Sequence, residues 1–272
     1  HLFSSAASDV YKRQILMNLE GKTILVTGGA GGIGRAICRR LAKQGGSIIV
    51  HYHTSISEAE SLADEIDGVA VYADLREKDD VDKMFDRIEE KIGALECCVA
   101  NAGLYPSKPM PIWEISEDRW NATLESNLGI TVLTAQGFLR KAMTRGKGSL
   151  VLIGSTAGIH GERGHSDYAT AKGAITSGLL RTLKNDVSGT SIRVNAVAPG
   201  WTLTDSKIES GIDQEVASNA MLTMSMKKLA SPDDIAGSVA FLLSEAASGH
   251  ISGQVIEVSG GMEGRVIPGP GE

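Results

Sequence analysis

Cysteine is scarce in this chain, with 3 among 272 residues. Cys38, Cys97 and Cys98 show no zinc-type spacing. Cys97 and Cys98 are neighbours in an apolar run, and on a strand their side chains face opposite sides of the sheet. The pattern speaks against a disulfide framework and reads as buried, reduced thiols in a cytosolic (cytoplasmic) protein. The 6 histidines show no metal-ligand spacing, so no metal site is expected. Positive charge is in deficit: the net charge is −6 and the pI is near 5.6. A nucleic-acid or anionic-membrane role therefore lacks electrostatic support. No apolar run approaches the roughly 18 residues of a membrane-spanning helix. Linkers, composition shifts, internal repeats and low-complexity stretches are missing too, so one domain is expected. The hydrophobic share of 42% is enough for a sizeable core.

The two ends differ from the body. The run His1–Gln14 has no long apolar stretch and so does not read as a signal peptide, nor does it lead into the first strand. A start at Met17, followed by Asn-Leu-Glu-Gly-Lys, fits better. Residues 1–16 are expected to be foreign or mistranslated; mass spectrometry of the native protein checks this, and a mature chain beginning before Met17 contradicts it. The folded domain is expected over 17–264. The tail 265–272 is rich in Pro and Gly from Val266 onward and is expected to be partly disordered.

Between the ends, short β-rich apolar runs alternate with amphipathic stretches. The pattern predicts strands over Thr23–Thr27, Ser47–Tyr52, Val69–Ala73, Leu95–Ala100, Ser149–Gly154, Ile192–Ala198 and Val255–Val258. It predicts helices over Ile33–Gln44, Ser57–Ile66 and Asp79–Lys91, the last with Val81, Met84, Phe85 and Ile88 on one face. Another helix runs from about Ser116, past Asn127, toward Met143. Two more cover Ser166–Asp186 and Pro232–Leu243. Such alternation implies an α/β fold, a doubly wound, seven-stranded parallel sheet with helices on both faces. Ligands of these sheets sit at the carboxyl ends of the strands, and every motif below falls at such an end or on the helix or loop after it.

Thr27-Gly-Gly-Ala-Gly-Gly-Ile-Gly34 joins the first strand to the first helix with the spacing G-x-x-x-G-x-G. Gly28 and Gly32 permit a tight turn and close approach of a pyrophosphate, and Gly34 lets the helix pack closely on the sheet. The free amides at the helix N-terminus favour phosphate. A bare glycine cluster would read equally well as a flexible turn; its place between a strand and an amphipathic helix marks a dinucleotide site. Further along, Tyr168 and Lys172 stand four residues apart in Ser166-Asp-Tyr-Ala-Thr-Ala-Lys172. On a helix this puts a phenol and an ammonium on one face. A phenol titrates near pH ~10, and a nearby cation pulls that value down. Tyr168 could then exchange a proton near neutrality. Taken alone, the pair also fits a solvated helix face.

Thr27–Gly34, Asn101-Ala102-Gly103, Ser155, Tyr168-Ala-Thr-Ala-Lys172 and Pro199-Gly200 occur in this order. Together they resemble the short-chain dehydrogenase/reductase family, a Rossmann-type fold, over about Leu19 to Gly261. The resemblance implies an NAD(P)(H)-dependent oxidoreductase acting on a carbonyl/alcohol pair. Tyr168 would be its general acid/base, and Lys172 would lower the Tyr168 pKa and hold the nicotinamide ribose. Ser155 would hydrogen-bond the substrate oxygen, and Asn127 would hold a water that extends the proton relay. Asp74, followed by Leu75, resembles the acid that touches adenine. Asn101, Ala102 and Gly103 resemble the segment beside the cofactor, Ile33 the apolar loop residue near the nicotinamide. Pro199, Gly200, Thr202 and Thr204 resemble the stretch that reaches its carboxamide. A homotetramer is implied as well, through the long helix carrying Tyr168 and the last strand.

Sites that prefer NAD usually carry an acid at the end of the second strand, to bind the ribose 2′-hydroxyl. Here Tyr52 stands in that place, and His53, Thr54 and Ser55 could donate to a 2′-phosphate. NADP is therefore expected, with NAD as the alternative because Gly31 stands where many NADP-using relatives carry an arginine. Specificity is expected from the loop after Ser155, with Ile159, His160, Glu162, Arg163 and His165, and from a lid beyond Gly200. Met221, Leu222, Met224 and Met226 could line the site adaptably or serve as lid packing. A 3-oxoacyl thioester on an acyl carrier protein and a sugar or small alcohol are the two substrate readings. A non-catalytic dinucleotide-binding sensor is the competing class, and it would be expected to have lost Tyr168 or Lys172.

Overall fold

The computed structural model describes residues 17–106, 108–204, 208, 211 and 214–262. The expected leading segment 1–16 and tail 265–272 lie outside the described residues. Short runs of Val, Ile and Ala form strands because both their faces can be buried. They are β1 (Thr23–Val26), β2 (Ser47–Tyr52), β3 (Val69–Tyr72), β4 (Cys97–Ala100), β5 (Lys147–Ile153), β6 (Ser191–Pro199) and β7 (Val255–Val258). All pair in parallel in the order β3-β2-β1-β4-β5-β6-β7. Leu25 of β1 is in register with Ile49 of β2 on one side and Cys98 of β4 on the other. The order reverses at β1, and there the carboxyl ends open a crevice.

Each sheet face carries its own core. On one face Leu25, Cys98 and Leu150 pack with Phe85, Phe138 and Ile175. On the other Val26, Cys97 and Val99 pack with Ile37, Leu41 and Val239. Cys97 and Cys98 thus point to opposite faces, as strand alternation requires. The helices are α1 (Gly32–Lys43), α2 (Ile56–Glu65), α3 (Lys78–Lys91), α4 (Glu117–Leu124) and α5 (Ile130–Arg145). They continue with α6 (Ala157–His160), α7 (Ser166–Ala174), α8 (Leu180–Asp186), α9 (Gln214–Leu222), α10 (Pro232–Leu243) and α11 (Glu245–Ser248). Helix α10 begins at a capping box, with Ser231 accepting from the Asp234 N–H and Asp234 accepting from the Ser231 N–H, and packs on α1. No described helix is long and apolar enough to cross a membrane.

Two long helices differ from the sequence pattern in a way that matters for the site. The stretch from Ser116 is interrupted by a π-helical turn at Glu125–Gly129, between α4 and α5. The stretch from Ser166 is interrupted by another at Ile175–Leu179, between α7 and α8. Such wide turns free backbone groups and re-aim side chains. At the first of them Asn127 Nδ2 donates back to Thr123 O at 3.0 Å and outward to Leu104 O at 2.8 Å.

Candidate active site

The crevice starts where β1 and β4 are stitched together. Thr27 Oγ1 accepts from the N–H groups of Asn101 (2.9 Å) and Ala102 (3.1 Å). Asn101 Nδ2 donates to Thr27 O at 2.8 Å and Gly28 O at 3.2 Å. Gly28 turns with φ +61°, a conformation that favours glycine. A Cβ on Gly34 would lie 2.2 Å from Gly28 O and 2.9 Å from Asn101 Nδ2, so Gly34 lets the helix close on its own loop and on the residue that follows β4. Helix α1 has no side-chain cap and no acid in its first turn. Its free N–H groups and positive dipole end face the crevice, which suits a pyrophosphate.

Beside this loop, β2 contributes a residue that sequence reasoning missed. His51 is buried; its Nδ1 accepts from the Gly28 N–H at 3.0 Å, and its Nε2 lies 3.0 Å from Ala73 O. Only the tautomer with the proton on Nε2 satisfies both contacts. Burial pulls its pKa down to about 4, so the ring is neutral. Tyr52 is a correction: it is absent from the cleft lining and packs instead against the core and Tyr72, at 5.9 Å between ring centroids. Successive residues at a strand end point to opposite faces, so His51 and His53 reach the cleft and Tyr52 does not. Asp74 and Leu75 line the cleft after β3, together with Thr54. Arg76 forks onto Asp74 at 2.9 and 2.6 Å, and His53 Nε2 lies 3.5 Å from Asp74 Oδ2. The hydrogen bond from Arg76 holds the Asp74 carboxyl at about 2.

At the far end, Ser155 follows β5 and faces α7, which carries Tyr168 and Lys172. Ser155 is placed to hydrogen-bond the Tyr168 hydroxyl. Burial pushes that hydroxyl up to about 12, and the Ser155 bond pulls the other way. The expected lowering of Tyr168 by Lys172 does not appear. Lys172 Nζ lies 5.7 Å from the Tyr168 ring centroid and donates to Ile153 O at 3.0 Å. Lys172 is only 3% exposed, and burial lowers its own pKa to about 8. A Cβ on Gly103 would lie 2.7 Å from Asn127 Oδ1 and 3.3 Å from Lys172 Nζ, so both polar atoms converge on this glycine. Asn127 Oδ1 is buried with no hydrogen-bond partner. An orphaned acceptor of this kind is what a water-mediated relay requires.

The residues predicted for catalysis and cofactor binding, except Tyr52 and Ser55, line one cleft of about 810 Å³. They include Ile33, Gly32, Ala102, Pro199, Gly200, Thr202 and Thr204. None of Met221, Leu222, Met224 and Met226 does; Met224 is buried, while Leu222 and Met226 are exposed. His160 is tied to Glu257 of β7 at 2.8 Å, and His165 is buried in the wall described below. Glu162 of the expected specificity loop lines the cleft, and Tyr105, Arg76 and Trp201 line it without having been singled out from the sequence. Asp167, the residue before Tyr168, is fully buried and joins α7 to α4. Its carboxylate accepts from Arg119 Nε (2.9 Å), Thr123 Oγ1 (3.1 Å) and the Tyr168 N–H (2.9 Å). Burial raises this carboxyl, but those three hydrogen bonds outweigh it and hold it below the usual range. Nothing local in the sequence shows these ties, because their ends are far apart along the chain.

Residues 28–263 match the family model described as enoyl-(acyl carrier protein) reductase. The 3-oxoacyl-[acyl-carrier-protein] reductase FabG of Escherichia coli K12 is 32% identical over 248 residues, covering 90% of this chain and 99% of that protein. The protein of the same name from Aquifex aeolicus is 33% identical over 252 residues, covering 90% and 99%. Among solved structures, one provisionally assigned as a gluconate dehydrogenase from Agrobacterium tumefaciens superposes with a TM-score of 0.86 at 28% identity. It covers 93% of this chain, and 100% of that chain is covered.

Proposed function

The chain belongs to the short-chain dehydrogenase/reductase family and is an oxidoreductase, and from that premise we propose that it interconverts a carbonyl and a secondary alcohol with a nicotinamide dinucleotide, using Tyr168 as general acid/base. The observation that carries this reading is the convergence of Ser155, Tyr168, Lys172 and Asn127 on one cleft that also holds the glycine loop. When bound, the nicotinamide supplies or takes up the hydride. The protein supplies the rest. Ser155 and Tyr168 hold the substrate oxygen between them. In reduction the Tyr168 hydroxyl gives that oxygen its proton, and with a pKa near 12 the hydroxyl is in the donor form at neutral pH. In oxidation the phenolate form of Tyr168, its charge stabilised by the Ser155 hydrogen bond, takes the alcohol proton and ends as the neutral phenol. Lys172 holds the ribose, and Asn127 Oδ1 anchors the water that refills the relay.

NADP is the proposed cofactor. His53 and Thr54 line the adenine end, no carboxylate replaces Tyr52, and Asp74 is engaged by Arg76 and His53. A 2′-phosphate there would meet the donors of His53 and Thr54 rather than an open acid. We expect kcat/KM for NADPH to exceed that for NADH by roughly 10-fold or more, as one or two charge-assisted hydrogen bonds would give. A strong NADH preference contradicts the assignment. Comparing the two cofactors across a carbonyl panel also tests the function itself: tight cofactor binding without turnover on any carbonyl favours the sensor class. The buried free thiols suit the cytoplasm. The assembly is proposed to be a homotetramer, so sedimentation should report four times the 28.6 kDa chain mass, and a monomer excludes it.

A further inference from the structure

Resting on the hydride-transfer reading, we propose that the substrate is a small, neutral, polyhydroxylated carbonyl or alcohol, selected by Glu162 together with Tyr105. Both residues line the cleft that holds Ser155 and Tyr168. Tyr105 Oη donates to Glu162 Oε1 at 2.6 Å. The Tyr105 ring stacks on His165 at 4.7 Å and meets the Tyr168 ring edge-on at 5.1 Å. His165 is buried, with Nε2 3.0 Å from Pro106 O. The Met110 N–H donates to Gly164 O at 2.8 Å. The loop after β4 and the loop before α7 thus form one wall, and its carboxylate stands close to the phenol that meets the substrate oxygen. Burial is the main influence raising both tyrosine hydroxyls, and Glu162 adds to it in each.

A carboxylate offers about four lone-pair sites, and Tyr105 fills one of them. The others call for donors. Hydroxyls on the carbons next to the reacting centre are such donors. The methylene chain of an acyl thioester is not, and would cover the carboxylate with hydrocarbon at a cost. The lid methionines do not line the cleft, and its apolar lining among the described residues includes Ile33, Leu104, Ile130, Ile153 and Trp201. A substrate carboxylate would meet Glu162 with like charge. The lysine and arginine lining the cleft among the described residues, Lys172 and Arg76, are engaged by Ile153 O and by Asp74. Neither is free to neutralise a sugar acid.

The test is kcat/KM for neutral polyols, the matching aldonates and a 3-oxobutanoyl thioester, measured on wild type, Glu162→Gln and Tyr105→Phe. Wild type is expected to prefer the best polyol over its aldonate by roughly 30-fold or more, the scale of one charged hydrogen bond gained against one like-charge contact. Glu162→Gln is expected to cut that ratio by about 10-fold, losing on the polyol and gaining on the aldonate. Tyr105→Phe removes the donor that orients the carboxylate, and should raise the polyol KM several-fold while leaving the melting temperature near wild type. A wild-type preference for the aldonate or the thioester overturns the substrate class and leaves the hydride-transfer reading standing. An unchanged ratio in a folded Glu162→Gln overturns the role of Glu162. Turnover of none of the three substrates removes the hydride-transfer reading, and this inference with it.

Discussion

Tyr168→Phe is expected to lower kcat by roughly 10³-fold, within the range spanned by a positioned general acid/base. The variant keeps the ring, its edge-on contact with Tyr105 at 5.1 Å and its place on α7. It loses only the hydroxyl that Ser155 is placed to hydrogen-bond. Cofactor affinity should stay within about 2-fold of wild type, because Gly28, the α1 amides and the Asp74 end are untouched. A structural defect would raise KM and lower stability together. The split expected here, with kcat lost and binding kept, separates the two explanations. Turnover at more than about a tenth of wild type would overturn the role of Tyr168.

Lys172→Met is expected to abolish most turnover while making the protein more stable. The ammonium is only 3% exposed, and its pKa falls from 10.5 to about 8 on burial. That shift corresponds to a cost of about 3 kcal/mol at neutral pH. The hydrogen bond to Ile153 O offsets about 1 kcal/mol of it. A side chain of similar length without the charge should therefore gain about 2 kcal/mol, seen as roughly 4 °C in melting temperature. The sign has a pH signature. A lysine with a lowered folded pKa carries its full burial cost below about pH 8, and the cost fades as pH rises toward 10.5. The stability advantage of the Met variant should accordingly be constant between pH 6 and 7 and shrink above about pH 8. Denaturant titrations of both proteins across this range check it. A destabilised Met variant at pH 7 would mean that Lys172 is a structural tie and not a charge held at a cost. A trade of stability for charge placement is common at active sites.

Sequence periodicity was sufficient for the sheet, because buried parallel strands read as continuous apolar runs and few other elements do. The glycine loop and the Tyr168/Lys172 pair were legible for the same reason: each is a local spacing on one turn or one helix face. Glu162 and His165 were legible as members of the specificity loop, but their wall with Tyr105 was not, since its hydrogen bond joins residues 57 apart in sequence. The Asp167–Arg119 tie spans 48 residues. His51 could have been found, because two-residue alternation at the end of β2 puts it on the same side as His53. Tyr52 was misplaced for want of that step. The π-helical turn at Asn127 left no mark in the pattern, because the apolar positions of α4 and α5 continue across it. The expected pull of Lys172 on Tyr168 rested on their spacing along the helix alone. In the structure burial acts on each group separately, raising one and lowering the other.

The most direct measurement of hydride transfer in this cleft is a single turnover with reduced cofactor deuterated at the nicotinamide C4 position, with the product read by mass spectrometry. Deuterium on the carbon that bears the new hydroxyl, in wild type and lost in Tyr168→Phe, is the predicted result. A product formed without that label, or labelled equally by the Phe variant at wild-type rate, would contradict it.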